Sequence, residues 1–292
     1  MKNFTVVKKT FCSCGYLQTL YKFLLFLGAV LALAVTPCQA AETDDIVKIR
    51  ENAVLKVAIK GDLPRISFKD PVSREFKGFE VALAYRIAKE IDPDLEVEFT
   101  EITTANREAI LDNGYVDCII ASFSVTDERL KSHDFSEPYF HDHTGLLVRK
   151  DSNIRELKDL NNKVIGCIYN SNSPYELVKS LKEHKLIDES DVDLKYFDFN
   201  TFNKRISFKP YESYEAIIEA LENKEIDGFV NDKTVLASFL KDDYLLLQEE
   251  FGIQHFAVVT RKGSSLSALI NSFIKKWNAD GTMEKIIKEN FD

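Results

Sequence analysis

Between residues 54 and 290 the apolar positions switch repeatedly between the tight runs of buried strands and the three-to-four spacing of helices. Val54–Lys60 reads as a strand. Gly78-Phe79 then opens a helix in which Phe79, Leu83, Ile87 and Ile91 recur every fourth residue and so share one face. Leu95–Thr100 is a short strand, Ala105–Leu111 a helix with Thr104 placed as its N-cap, and Val116–Ala121 a further strand. Val164–Tyr169 is another strand. Ser173-Pro174-Tyr175-Glu176 follows it, the pattern of a capping box with proline at the first helical position. Near the end Leu266, Leu269, Phe273, Ile274 and Trp277 line a helix, Asp280-Gly281 stops it, and Thr282–Asn290 makes a short last one. Strands alternating with helices predict an α/β fold of mostly parallel sheets with helices on both faces.

One stretch is echoed. Leu111-Asp112-Asn113-Gly114-Tyr115-Val116-Asp117 corresponds to Leu221-Glu222-Asn223-Lys224-Glu225-Ile226-Asp227, at an offset of 110 residues. Each copy reads as helix end, tight turn, then a strand opening at Val/Ile-Asp. The echo predicts two similar lobes. The two strands would end at Ser122 and Asp232, and ligands of open α/β sheets bind at the carboxyl ends of strands. Facing lobes would bring both ends to one cleft.

The first forty residues differ from the rest. Their only charged side chains are Lys2, Lys8, Lys9 and Lys22, and Leu24–Val35 is an uncharged apolar run. That run is shorter than the roughly 20 residues a membrane span needs. It suits a signal peptide over residues 1–41, with small residues for cleavage near Ala40, better than a membrane anchor. Pro37 stands where a lipobox has Gly or Ala, which argues against lipidation at Cys38. Without residues 1–40 the chain holds 34 basic against 47 acidic residues, a net charge of −13 where the whole chain has −9. Such a body is a poor partner for nucleic acid or an anionic membrane. Cys118 and Cys167 then remain, and they read as buried thiols. No cysteine spacing resembles a metal cluster.

Ala121-Ser122-Phe123-Ser124-Val125-Thr126-Asp127-Glu128-Arg129, followed by Asp134-Phe135-Ser136-Glu137-Pro138-Tyr139, resembles the signature of extracellular solute-binding protein family 3, the polar amino-acid receptors of ABC importers. Gly78-Phe79-Glu80, Gly145–Lys150 and Asp227–Asp232 extend the resemblance over nearly all of residues 50–292. The aspartate/glutamate-binding branch is the nearest fit. The resemblance implies a two-lobed fold of the type II periplasmic-binding-protein kind, with a central ligand cleft and a two-segment hinge. Lobe one would hold residues 47–140 and 258–292, lobe two residues 144–255, and the ligand would close the hinge. It further implies an exported, monomeric protein without a cofactor or resident metal, working with a membrane permease.

By the same resemblance, Arg129 would clamp the ligand α-carboxylate, a match for a guanidinium fork. Read from the residues alone, Arg129 would be a surface residue paired with Asp127, Glu128 or Glu137. Ser122 and Ser124 would share the carboxylate, whereas Thr126 suits a helix cap before Asp127 and Glu128. Asp232 would accept the α-ammonium, and it could also cap a helix over Lys233–Leu240. Asn172 and Ser173 are candidates because a helix start there presents free N–H groups to an anion, although Asn170 and Asn172 depart from the small run common in the family. Lys60 and Arg107 stand where the acidic-ligand branch carries cations, and Tyr214 where it carries a side-chain-contacting Tyr. In their structural roles Lys60 would be a solvated loop residue and Arg107 a partner of Glu101. Leu63-Pro64-Arg65-Ile66 replaces an aromatic-rich run of many relatives, which disfavours an aromatic ligand. The longer stretch Phe197–Phe208 reads as a surface hairpin.

The expected activity is therefore binding of a small, acidic amino acid, aspartate or glutamate. Glutamine, cysteine or another polar amino acid is the alternative within the class. A dehydratase of cyclohexadienyl acids is the enzymatic alternative on the same fold, since fold does not settle function. His141 and His143, two apart, could share a strand face, but without a carboxylate or Cys partner they are a weak metal motif. His133, His184 and His255 stand alone and read as surface or structural residues.

Overall fold

The computed structural model describes residues 44–291. The expected signal peptide lies outside the described residues. Two sheets organise the chain, each in its own lobe. The first has the strand order Glu96–Glu101, Val54–Ile59, Cys118–Ile119, Val259–Arg261, His133–Phe135. The second runs Ile206–Tyr211, Lys163–Ile168, Gly228–Asp232, Phe140–Arg149, Tyr244–Leu246, with Phe251–Phe256 also paired to Phe140–Arg149. A three-stranded antiparallel patch, Asp62–Leu63, Ser67–Lys69 and Phe76–Lys77, stands beside the first. The expectation of mostly parallel sheets needs correction. Val54–Ile59 is parallel to both its neighbours, but Val259–Arg261 and Phe140–Arg149 enter antiparallel. These strands flank the two crossings between the lobes, so they run against the β-α-β direction.

The helix Phe79–Ile91 forms as its spacing predicts and buries Phe79, Leu83, Ile87 and Ile91. They meet Leu266, Ile270, Ile274 and Trp277 of the helix Ser265–Asp280 in one apolar cluster. Gly281 ends that helix in the left-handed region at φ 79°, the geometry glycine adopts without steric cost. Cutting a core side chain such as Ile274 back to alanine costs about 2–5 kcal/mol. The second lobe has its own cluster around Leu146, Ile165, Leu177, Leu181 and Val230. Cys118 and Cys167 lie in different sheets, free and buried, and burial pushes the Cys167 thiol up to about 12.

Several local expectations shift. The helix expected from Ala105 starts at Arg107 with Asn106 at the cap position, and Asn106 Oδ1 accepts from Thr103 N at 2.8 Å. Thr104 is therefore not the cap. The strand expected over Val116–Ala121 is laddered only at Cys118–Ile119. Ser173 does not cap its helix through a capping box. It is already the first residue of Ser173–Glu183, and Asn172 holds the cap position with Pro174 in the first turn. The stretch Phe197–Phe208 is not a hairpin. Phe197, Phe202 and Phe208 pack ring to ring, 5.6–6.2 Å between centroids, and seal one edge of the second core.

The echo is carried by matching contacts. Asp117 takes Lys56 N onto its carboxylate at 2.8 Å, and Asp227 takes Val164 N at 2.9 Å. Each Asp thus fastens a strand start to the neighbouring strand. In the first lobe Arg261 Nη1 donates to the carbonyls of Leu111 and Val116, at 3.3 and 2.7 Å. In the second Arg149 Nη1 donates to those of Leu221 and Ile226, both at 2.8 Å. One guanidinium per lobe thus closes the same helix-to-strand turn. Removing a donor from largely buried carbonyls costs about 1–3 kcal/mol. Urea unfolding should accordingly show Arg149→Ala and Arg261→Ala each losing about that much, and a loss below 0.5 kcal/mol in both would deny the clamps a structural role.

Candidate functional site: a cation-rich cleft between the lobes

Between the lobes lies a small cavity of about 20 Å³. Its lining comes from strand ends and the first turns of helices. From the first lobe, Lys60 follows strand Val54–Ile59, Ser122 and Ser124 follow Cys118–Ile119, and Arg107 and Arg129 each open a helix. From the second, Ile168 ends Lys163–Ile168, Asn231 and Asp232 end Gly228–Asp232, and Tyr214 opens Tyr214–Glu222. Thr104, Ser171 and Asn172 complete it. Parallel strands of both sheets deliver their carboxyl ends to one place, as open α/β sheets do.

The charges are uneven. Lys60, Arg107, Arg129 and Asp232 all line the cavity, and Lys60, Arg107 and Asp232 are 5%, 2% and 7% exposed. Lys60 Nζ donates to Tyr214 Oη at 2.9 Å, across the cleft. Arg107 Nη2 and Arg129 Nη2 both donate to the Asn170 carbonyl of the opposite lobe, at 3.4 and 3.2 Å. Arg129 Nη1 also donates to the Ser124 carbonyl at 2.8 Å. Both guanidiniums lie over the Phe123 ring, with Cζ 3.7 and 4.5 Å from its centroid. Such cation–π contacts soften the cost of burial.

Burial, together with the neighbouring Arg129, holds Arg107 down to about 9, and burial alone brings Arg129 to about 10. Both stay charged at neutral pH. Burial first, and then the charge of Asp142, raises the Asp232 carboxyl to about 7, while Lys60, Arg129 and Arg107 pull it back. Asp232 Oδ1, Arg107 Nε, Asn231 Nδ2 and Ser171 Oγ are buried without a hydrogen-bond partner among the described residues. Asp232 occupies the N-cap position of helix Lys233–Ala237, yet the Thr234 N–H donates to Asp142 Oδ2 at 3.0 Å. Asp142 takes over the capping, and the Asp232 carboxylate faces the cavity.

Behind the first-lobe wall sits a fully buried carboxylate, Glu80. Its oxygens accept from Ser67 Oγ at 3.1 Å, Tyr139 Oη at 2.8 Å, Ser122 N at 2.6 Å and Ser122 Oγ at 2.9 Å. These bonds hold Ser122 at φ 46°, a left-handed conformation that costs a non-glycine residue energy. Ser122 thus lines the cleft with its hydroxyl proton committed backwards. Thr126 Oγ1 accepts from Arg129 N at 3.3 Å, a local bond that orients the start of the Arg129 helix.

Comparison with known proteins fits this geometry. The model of the bacterial extracellular solute-binding proteins, family 3, matches residues 55–292. The chain belongs to that family. An ABC transporter glutamine-binding protein of Bacillus subtilis (strain 168) is 28% identical over 85% of this chain and 85% of its own. A glutamate-binding protein of Corynebacterium efficiens is 26% identical over 90% of this chain and 88% of its own. The crystal structure of a cysteine-binding protein from Campylobacter jejuni superposes with a TM-score of 0.70 at 26% identity, covering 85% of this chain and 93% of that one. The fold is accordingly the two-lobed, type II periplasmic one.

Of the residues singled out in the sequence, the structure gathers Lys60, Arg107, Ser122, Ser124, Arg129, Asn172, Tyr214 and Asp232 around one space. Ser173 is buried in the first helical turn and does not line it, and Asn172 Nδ2 is engaged with Gln254 Oε1 at 2.9 Å. Arg107 turns to the cleft and not to Glu101, whose partner is Lys69 at 2.7 Å. Thr104, expected only as a helix cap, and Ile168, Ser171 and Asn231 were not expected in the site. Only the last had a local signal, its place beside Asp232 at a strand end. The raised Asp232 carboxyl has a consequence for stability. The unfolded chain ionises near 4, so the folded state is penalised increasingly as pH rises from about 4 to 7, by at most about 4 kcal/mol for a shift of three pH units. Ligand-free Asp232→Asn should therefore melt above wild type at pH 8, with the gap closing towards pH 4. An unchanged melting temperature at pH 8 would contradict the strained carboxylate.

Proposed function

We propose that this protein is an exported receptor that binds a small amino acid with an acidic side chain, aspartate or glutamate, and presents it to the membrane permease of an ABC importer. The observation that carries this reading is the charge balance of the cleft lining, Lys60, Arg107 and Arg129 against Asp232, with Asp62 and Glu108 acting on these cations from outside the lining. An α-carboxylate and an α-ammonium would satisfy one cation and the one anion. Two cations remain, and a side-chain carboxylate would lie between them and neutralise one. A cleft with uncompensated buried charge discriminates strongly against ligands that leave it unpaired. The glutamine-, glutamate- and cysteine-binding relatives support an amino acid as the solute.

Arg129, beside Ser124, takes the α-carboxylate, since its remaining N–H groups can form a bidentate pair. Asp232 takes the α-ammonium with its unpartnered oxygen. Arg107 and Lys60, the latter steadied by Tyr214, hold the side-chain carboxylate. Asn172, at a helix start, adds polar contact. Lys60–Tyr214 and the two arginine bonds to Asn170 already join one lobe to the other. A ligand touching both lobes stabilises closure by its extra contacts in the closed form. The closed form is the surface a permease distinguishes from the open one. The protein acts as a monomer and binds its solute without turning it over.

One observation favours a second reading. The Lys60 ammonium is already bonded to Tyr214, and the 28% identical relative is a glutamine-binding protein. In that reading Arg107 alone meets a neutral side-chain amide.

Calorimetric titration of refolded, ligand-stripped protein separates these readings. Aspartate or glutamate should bind tightest, with Arg107→Ala weakening them by about 100-fold, the scale of a lost charge-assisted bond. Glutamine binding best, and equally well to Arg107→Ala, would replace the acidic ligand. Steady turnover of a cyclohexadienyl acid would move the protein to the enzymes. Affinity for the preferred ligand should also fall about tenfold per pH unit below 7, because Asp232 must be ionised to receive an ammonium. A flat pH profile from 8 to 5.5 would show that Asp232 is not the ammonium partner.

A further inference from the structure

The two segments that join the lobes carry chemistry unconnected with the cleft. Phe140–Arg149 and Phe251–Phe256 run antiparallel, and His141 stands directly opposite His255. Their Nδ1 atoms are 2.8 Å apart, and the rings meet edge to face at 89°. Both side chains are exposed and border an open groove of about 460 Å³ that Glu137 also lines. His143, two residues along the same strand, has its Nδ1 3.6 Å from a Glu250 carboxylate oxygen. Three of the chain's five histidines therefore sit on this crossing.

Two neutral imidazoles meeting nitrogen to nitrogen can share only one proton, since one Nδ1 donates and the other accepts. We infer that His141 and His255 form a binding site for a divalent transition metal of tetragonal preference, copper(II) or nickel(II), which replaces the shared proton and ties the two crossing strands together. The spacing selects the class. Metal–imidazole bonds of about 2.0–2.1 Å at a right angle place the two nitrogens roughly 2.9 Å apart, whereas a tetrahedral angle needs roughly 3.3 Å. The 2.8 Å separation is close to the right-angle value; to bind, each ring turns its Nδ1 lone pair from the other nitrogen towards the ion, and the shared proton moves to Nε2 of its own ring. Imidazole suits these ions, and copper(II) stands highest in the affinity order for nitrogen sites. No group of three or more His, Cys, Asp or Glu among the described residues is arranged around a metal. The site is thus a two-imidazole clip whose remaining positions, on the open groove, take water. Because both strands pass between the lobes, the bound ion stiffens the hinge.

The test is titration of the full chain with copper(II) sulfate and with nickel(II) chloride, followed by calorimetry and, for copper, by electron paramagnetic resonance. One equivalent should bind through nitrogen ligands. His141→Ala and His255→Ala should each weaken binding by at least about tenfold, the lower end of what even an outer-shell partner contributes. His184→Ala should bind as wild type, because that ring already bonds the Ser180 carbonyl at 2.8 Å. Saturable binding that survives in both folded crossing variants overturns the site, and so does the absence of any binding to wild type.

Discussion

Like charges gathered out of water repel one another and lose their hydration, so a protein that buries two cations and half-buries a third around one cavity must hold them by force of the surrounding fold. That constraint runs through this structure. Arg107 and Arg129 share one aromatic ring and one carbonyl, and Lys60 leans on a phenol. Asp232 keeps an oxygen without a partner among the described residues. In the function proposed above, the solute supplies the partners that these polar groups lack.

The scaffold that holds them is built twice. In each lobe an aspartate at a strand start receives a neighbouring backbone N–H, and an arginine from an antiparallel strand closes the preceding turn. These bonds lie at the ends of the strands remote from the cleft and leave the carboxyl ends free for binding. Glu80 does the corresponding work within the first-lobe wall. It fixes Ser122 in a conformation the chain would not choose, and so sets the line of backbone that carries Ser124 and leads to Arg129.

The lobes are joined by two paired strands, and they also touch through apolar surface. Leu63 and Ile66, from the small antiparallel patch, lie in one buried cluster with Ile168, Tyr214 and Leu236 of the second lobe. Where the sequence suggested only the loss of a ligand-stacking aromatic, the structure shows an aliphatic contact between the lobes. Opening the cleft must separate that contact along with the Lys60 and arginine bonds, so apolar burial and polar bridging oppose opening together.

What the sequence determined by itself is whatever depends on near neighbours in the chain. The helix Phe79–Ile91 follows from four apolar residues at one spacing, the stop at Gly281 from a residue free to turn left-handed, and the paired turns from the echo at Asp117 and Asp227. The family signature around Ser122–Arg129 likewise marked Ser122, Ser124 and Arg129 of the cleft lining. Tertiary structure decided the rest, because it turned on competition between distant groups. Asp142 took the cap that Asp232 could have filled, and Lys69 took the Glu101 that Arg107 could have paired with. Asn172 turned to Gln254, and Ser173 went into the helix while Ser171 reached the cavity. The aromatic stretch Phe197–Phe208 folded inward because the second core offered its rings a place out of water. A local pattern states what a residue could bond to, and only the packed chain decides which of those partners is within reach.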